Sequence, residues 1–288
     1  MIRKHEDLQA RRVGAAGRLT LDRPASLNAL TLGMVRGMAE ILDEWDKDPE
    51  IRVVVIDAAG TRAFCAGGDI RALHDAGRRH DELPETFWRE EYILDARIAR
   101  YPKPVVPLMA GLIMGGGVGI SAHARHRVVT DSTALALPEV GIGLIPDVGA
   151  TWLLSRAPGE CGTYLALTGE RIGAADAIAM GLADHFVPQA RLEELGAALA
   201  AIAGPDGGGE VDEAIRRVAE PAGPSRILNM REAIDALFRF DTVEEIVAAL
   251  DAEASKWARG LSAGIAAKSP TSLKLTLAAL RGARGLSS

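Results

Sequence analysis

The run "IRVVVIDAAG" at 51 to 60 is apolar without alternation and is closed by turn residues, the pattern of a strand covered on both faces. "PVVPLMAGLIMGGG" at 104 to 117 and "RVVTDSTALALPE" at 127 to 139 repeat that order. Ahead of them, "RLTLDRP" at 18 to 24 reads as a short strand stopped by Asp22 and Pro24. From Asn28 onward, Leu32, Val35, Met38, Leu42 and Trp45 recur at helical spacing as far as "DKDP". Each apolar run feeds a loop: "AFCAGGDI" at 63 to 70, "MGGGVG" at 114 to 119 leading into the buried helix "VGISAHAR", and "LPEVGIGLIPDVG" at 137 to 149. "WLLSRAPG" and "GTYLALTG" then read as helical pieces broken by Gly and Pro. Three strand-to-helix units in succession bring three loops to one end of a layered α/β sheet, and function is expected there.

After "GLADHFVP" the pattern turns helical. Residues 190 to 204 and 210 to 219 are alanine-rich helical stretches separated by "GPDGGG", which reads as a flexible tether. Residues 225 to 281 read as amphipathic helices, among them "DTVEEIVAAL" with Asp241 or Thr242 as N-cap. The expected organisation is an α/β core over residues 1–200 and a mainly helical C-terminal region over 201–288, with no internal repeat at a fixed period.

Composition narrows the classes. With 288 residues, 48% of them hydrophobic and 25% charged, the chain is long enough for one large core or a core with an appendage. A formal charge of -6 offers no electrostatic footprint for nucleic acid. Cys65 and Cys161 are the only cysteines, too few for a disulfide scaffold or a four-thiolate metal site. No run of about eighteen apolar residues occurs, and "MIRKHEDLQARR" lacks the apolar core of a signal peptide. The expectation is a cytosolic protein with neither a membrane span nor a nucleic-acid partner.

A glycine-rich turn after a strand lets backbone N–H groups approach a ligand. Loops Ala66 to Gly68 and Gly115 to Gly117 can each point an N–H at one oxygen, the arrangement that holds an enolate or a tetrahedral oxyanion. Tight turns packing small residues account for the same glycines equally well. A dinucleotide or P-loop reading fails on spacing and on the missing Gly-Lys-Ser/Thr. Glu139 and Asp147 both lie in apolar surroundings, where burial raises a carboxyl pKa toward neutrality and makes proton transfer feasible. The structural alternatives are that Asp147 caps the helix opening at "GATWLL" and that Glu139 accepts backbone hydrogen bonds. Glu91 in "FWREEYILDA" borders an aromatic stripe, which suits either a ligand contact or an acid at the margin of a buried helix face. His123 and His126 have no third ligand at a recognisable spacing, so no metal site is expected. Cys65 has no paired histidine and is expected to pack behind the glycine loop, and Ser121 lacks the G-x-S-x-G elbow of serine hydrolases.

Taken together, "RPASLNALT", "GTRAFCAGGDIRAL", "FWREEYIL", "YPKPVVPLMAGLIMGGGVGISAHARHRVVT", "LALPEVGIGLIPDVGATWLLSR" and "YLALTGERIGAADAIAMGLADHFV", with "DTVEEIVAAL" and "SPTSLKLTL" later, resemble the crotonase (enoyl-CoA hydratase/isomerase) superfamily, and within it the 3-hydroxyisobutyryl-CoA hydrolase branch. The resemblance spans roughly residues 18 to 281. It implies a ββα superhelix with a helical C-terminal part that assembles the subunits and covers the pocket. It implies hydrolysis of a short 3-hydroxyacyl-CoA thioester to the free acid and coenzyme A, in the setting of valine breakdown, with no cofactor beyond the coenzyme A of the substrate. The peptide N–H groups near Ala66 and Gly116 would form the oxyanion hole, with Gly67, Gly68 and Gly115 beside them. The adenine-bearing half of coenzyme A would lie against the loop leading from "RAFCAGG". Glu139 would be the principal catalytic carboxylate, Asp147 the second acid, and Glu91 and Gly116 substrate contacts. A homo-oligomer, trimer or hexamer, is implied as well.

Hydratases of the superfamily carry a second glutamate where Gly119 stands here and typically Gly where Asp147 stands, which favours hydrolysis over hydration. The hydrolase branch continues past "SPTSLKLTLAAL" with an acid-rich helical stretch, and the expectation is a chain without that segment. Two alternatives follow: an enoyl-CoA hydratase or isomerase, and a non-catalytic acyl-CoA-binding protein.

Overall fold

The computed structural model describes residues 2–5, 7–204 and 208–286. The described residues form two compact units that interleave along the chain: residues 1–134 with 183–222, and 135–182 with 223–288.

Unit 1 opens with β1 (Ile2–His5), β2 (Leu8–Val13) and β3 (Ala16–Leu21), joined as antiparallel neighbours. The opening had not read as strand because its residues are largely polar. In β2, buried Leu8 and Ala10 alternate with half-buried residues, a weak period-2 signal. Helix α1 (Leu32–Lys47) follows with Thr31 as N-cap, its Oγ1 accepting the Met34 N–H at 3.1 Å. Asn28 therefore precedes the helix instead of opening it. Next come β4 (Val53–Ala58), β5 (Ala63–Cys65), α2 (Ile70–Arg78) and α3 (Leu83–Ala99). "PVVPLMAGLIMGGG" divides into β6 (Val105–Met109) and β7 (Leu112–Met114) at Gly111. Gly111 has φ +82°, and a Cβ there would stand 2.9 Å from the Arg62 carbonyl, so only glycine passes the chain from one sheet to the other. Helix α4 (Gly116–Ala122) and β8 (Val128–Val129) complete this stretch.

The chain enters unit 2 through β9 (Ala134–Ala136), whose Leu135 pairs with Ile172, and continues in α5 (Ala150–Leu154), α6 (Cys161–Thr168) and α7 (Ala174–Ala179). It returns to unit 1 with β10 (His185–Phe186), α8 (Leu192–Ala200) and α9 (Gly208–Val218). Residues 205–207 of the expected tether lie outside the described residues. Unit 2 then ends in α10 (Arg226–Asn229), α11 (Arg231–Phe238), α12 (Val243–Glu253), α13 (Lys256–Ala266) and α14 (Pro270–Ala283). Thr242 is the N-cap of α12, its side chain accepting the Glu245 N–H.

In unit 1, seven strands run in the order β1-β2-β3-β4-β6-β8-β10, parallel from β3 onward. One face is sealed by α8 and α9, where Val53, Val55, Val106, Leu195, Leu199 and Ile215 form a dry cluster. β5 pairs in parallel with β7 in a second, shorter sheet. The sequence β4-β5-α2 and then β6-β7-α4 gives the strand-strand-helix repeat that the resemblance implies, and each repeat ends in a glycine loop.

Candidate active site

The candidate residues fall in both units. In unit 1, the first glycine loop is fastened by Asn28. Its Oδ1 accepts the Arg23 N–H at 2.9 Å, and its Nδ2 donates to the carbonyls of Ala59 at 3.0 Å and Ala63 at 2.9 Å. Leu27 and Asn28 both adopt left-handed φ, +54° and +55°, a conformation Asn tolerates and Leu does not readily. That turn presents the Leu27 carbonyl to the Ala66 N–H at 3.0 Å. Ala66 therefore has no N–H to offer a substrate oxygen, which corrects its expected place in the oxyanion hole. Asp69 N–H donates to the Leu30 carbonyl, the Gly67 N–H reaches the Cys65 sulfur, and the Gly68 N–H finds no backbone acceptor among the described residues.

The second loop meets the first within this unit. Gly67 has φ +97°, and its Cβ position lies 3.2 Å from the Met114 carbonyl and 3.6 Å from the Gly116 nitrogen. Gly115, with φ +45° and ψ −119°, turns the chain into α4, and its carbonyl accepts from Val118 at 2.7 Å. The N–H groups of Gly116 and Gly117 also find no acceptor among the described residues. The unit thus gathers backbone donors from both loops, among them the N–H groups of Gly68 and Gly116, for which no backbone acceptor stands among the described residues. Glu91 on α3 is buried, at 2% exposure, and a Cβ on Gly116 would overlap its Oε1. The acid is at the loop and not on the solvent margin of its helix.

Cys65 packs behind the loop as expected. Burial, with smaller additions from the charges of Glu91 and Asp95, pushes its thiol up to about 12, so it is no nucleophile near neutrality. Ser121 donates to the Gly117 carbonyl within α4. His126 is buried and faces Asp212 at 3.2 Å, and among the described residues no three His, Cys, Asp or Glu are placed to hold a metal ion. A cavity of about 470 Å³ lies on the sheet face lined by Arg18, Asp57 and Leu192, and it reaches Gly60, Thr61 and Ala63 on the segment leading into the first glycine loop.

In unit 2, Glu139 begins a single tight turn, Glu139–Gly141, directly after Pro138. The turn is held by the Leu144 N–H donating to the Glu139 carbonyl at 3.0 Å and by the Ser269 N–H donating to the Val140 carbonyl at 3.1 Å. The side chain is 5% exposed, and neither carboxyl oxygen has a hydrogen-bond partner elsewhere among the described residues. Burial, opposed only by its own backbone N–H and reinforced by the charge of Asp147, raises the carboxyl from 4.5 to about 8. Of the backbone-acceptor reading of Glu139 only the contact with its own N–H remains. The N-cap of α5 is Gly149, without a side-chain cap, and Asp147 meets the helix through its carbonyl, which accepts the Ala150 N–H at 2.6 Å. Between them, Val148 has φ +45°, a strained backbone for a β-branched residue, costing on the order of 1–3 kcal/mol. The strain sits one residue beyond Asp147. Sequence reading missed this and the Asn28 fastener, because a left-handed Val carries no sequence signal and Asn28 was absorbed into the neighbouring helix.

With that geometry in hand, the comparisons with known proteins place the chain. A family model described as enoyl-CoA hydratase/isomerase matches residues 16–288. The chain belongs to the enoyl-CoA hydratase/isomerase family. Within the crotonase superfamily it stands close to the 3-hydroxyisobutyryl-CoA hydrolase branch. It is 45% identical over 270 residues to the mitochondrial 3-hydroxyisobutyryl-CoA hydrolase of Danio rerio, covering 92% of this chain and 70% of that protein. It is 40% identical over 281 residues to that of Homo sapiens, covering 94% and 72%. Among solved structures, a carnitinyl-CoA dehydratase from Mycobacterium thermoresistibile superposes with a TM-score of 0.93 at 46% identity, over 98% of this chain and 81% of the other. An enoyl-CoA hydratase from Rhodobacter sphaeroides 2.4.1 gives 0.87 at 46% identity, over 96% and 79%.

One expectation is overturned. The curated relatives are mitochondrial proteins, so the cytosolic assignment does not stand. It rested on two free thiols, and these mark a reducing environment without choosing among the compartments that have one. Among the described residues no helix is long and apolar enough to cross a membrane.

Proposed function

We propose that this protein hydrolyses a short 3-hydroxyacyl-CoA thioester, with 3-hydroxyisobutyryl-CoA as the leading substrate. The observation that carries the reading is Glu139: a buried carboxyl with no partner beyond its own backbone, poised near pH 8 with Asp147 close enough to raise it. In a family that acts on coenzyme A thioesters, such a group is suited to chemistry and poorly suited to holding a fold together.

In the proposed reaction the N–H groups of Gly68 and Gly116 take the thioester carbonyl oxygen as it gains charge. Gly67 and Gly115 give the two loops the backbone turns that present them. Ionised Glu139 either attacks the carbonyl, breaking the C–S bond to leave a mixed anhydride that water opens, or removes a proton from water that attacks directly. Asp147 orients the substrate hydroxyl or the water and manages the proton delivered to the departing thiolate. Glu91, buried over Gly116, accepts a hydrogen bond from the 3-hydroxyl, an interaction that a thioester lacking that group forgoes. The coenzyme A moiety follows the segment from Gly60 to Ala63, beside the cavity described above.

The names of the two solved structures favour a second reading, hydration of an enoyl-CoA. Gly119 opposes it, since no second α4 carboxylate is available to add water across a double bond. Thiol release from 3-hydroxyisobutyryl-CoA and hydration of crotonyl-CoA, measured side by side on the wild type and Glu139→Gln, decide between them. Thiol release that disappears in the variant supports the hydrolase, while hydration by the wild type supports the second reading. Binding of coenzyme A esters without either product would point to the non-catalytic alternative. Assembly as a trimer or a pair of trimers, with the helices from residue 201 onward taking part, is proposed on the family resemblance and is read out by light scattering.

A further inference from the structure

The glycines of α4 are explained by what stands over them. A Cβ at Gly116 would overlap Glu91 Oε1 and lie 3.3 Å from its Cδ. One at Gly117 would overlap the Cys65 carbonyl and lie 2.9 Å from Cys65 Cβ. One at Gly119 would lie 2.5 Å from Asp95 Oδ2 and 2.8 Å from Asp95 Cγ and Oδ1. Contacts that close do not occur, so each position is a notch filled by a neighbour. Residues 116 and 119 are three apart on α4, and residues 91 and 95 are four apart on α3, so each pair shares a helix face. Two carboxylates on one face of α3 are thus seated in two notches on one face of α4.

Glu91 has a task in the reading above. Asp95 has none, yet it is 5% exposed and lies one helical turn from another buried acid. A carboxylate there carries a desolvation cost that an apolar side chain would not, and its oxygens are what fill the Gly119 notch. Helix α3 is held by its packing on α1 and α2 as well as on α4, and the seat at Gly119 adds a second fixed point on α4 one turn from Gly116.

We propose that Asp95 is a positioning residue: by seating in the Gly119 notch it sets where the Glu91 carboxylate stands over Gly116, and so governs discrimination for a hydroxyl group on the acyl chain of the thioester. The inference rests on the reading of Glu91 as the contact to that hydroxyl.

Two measurements test it. The first compares kcat/KM for 3-hydroxyisobutyryl-CoA and isobutyryl-CoA in the wild type, Asp95→Ala, Asp95→Asn and Gly119→Ala. The ratio of the two is expected to shrink about tenfold in Asp95→Ala and in Gly119→Ala, and to be partly restored in Asp95→Asn, which keeps the shape. An equal loss on both thioesters would show a merely structural role and overturn the proposal. The second needs no turnover: the change in Tm caused by Gly119→Ala is measured with and without Asp95→Ala. A large drop in the wild-type background and a small one in the Asp95→Ala background supports the seat, and additive drops overturn it. A wild type that does not distinguish the two thioesters removes the role of Glu91, and the proposed function of Asp95 falls with it even where the Tm coupling shows the seat to be real.

Discussion

Asp184 in unit 1 and Glu139 in unit 2 are carboxylates withdrawn from water and treated in opposite ways. Asp184 receives three hydrogen bonds from Arg127: the backbone N–H at 2.8 Å and Nε at 2.9 Å to Oδ2, and Nη2 at 2.6 Å to Oδ1. Burial is the largest single influence on it and pushes upward, but the bonds and charge of Arg127 together outweigh burial and hold the acid below its usual range. The pair ties the approach to β8 to that of β10, with Asp184 N–H in turn donating to the Arg127 carbonyl at 3.0 Å. Glu139 has burial without the cation, and its carboxyl rises to about 8. A satisfied acid holds two strands together; an unsatisfied one keeps a proton that chemistry can use. The contrast also sets opposite pH signs. Asp184 lends stability above the ordinary aspartate range, and that contribution is lost as pH falls through its depressed folded value. Glu139 has the raised folded value, so the native state tolerates the protein best below about pH 4.5 and loses that advantage as pH climbs toward 8.

The comparison is broken most sharply at Glu139. Glu139→Gln is expected to lower kcat for thiol release by about 10³-fold or more with the circular dichroism spectrum unchanged. Because the amide cannot ionise, the same variant should be more stable than the wild type at pH 9 by on the order of 3 kcal/mol, and the difference should vanish near pH 4. Urea melts at the two pH values read this out, and a variant less stable at pH 9 would contradict the buried, unpaired state. Asp147→Asn should cost about 10²-fold in kcat, and it should lower the apparent pKa of the group that governs the rate, since the charge of Asp147 helps to raise Glu139. On the other side of the comparison, Asp184→Asn should leave kcat nearly unchanged while destabilising the fold by about 2 kcal/mol, because Arg127 keeps its burial and loses its partner. The smallest effect is expected from Gly67→Ala, where φ +97° and the Met114 carbonyl 3.2 Å away combine to strain the first loop by about 1 kcal/mol.

The α/β order and the three loops were legible because continuous apolar runs ending in glycine leave few alternatives, and β4, β6, α1 and the N-cap of α12 lie where the pattern puts them. The β1 and β2 strands were not, since β2 buries only Leu8 and Ala10 among largely polar residues, too few positions to write a clear alternation. For the candidate residues, sequence supplied identities and not environments. That Glu91 is buried against Gly116 follows from the rotation of α3, and that Ala66 is occupied follows from a left-handed turn at Leu27, neither of which a residue count can register. Gly116 and Gly117 read equally as ligand-facing donors and as tight packing, and the clearance they and Gly119 provide depends on which side chains arrive from α3 and β5.

The central claim is that the Glu139 carboxyl titrates near neutrality and drives thioester hydrolysis in its ionised form. The most direct test is the pH dependence of kcat for hydrolysis of 3-hydroxyisobutyryl-CoA between pH 5 and about 10, in the wild type and in Glu139→Gln. A rate that climbs with pH to a plateau through an apparent pKa near 8, with the limb absent from the variant, is the predicted result. A flat wild-type profile over that range, or a limb that persists in Glu139→Gln, would contradict it.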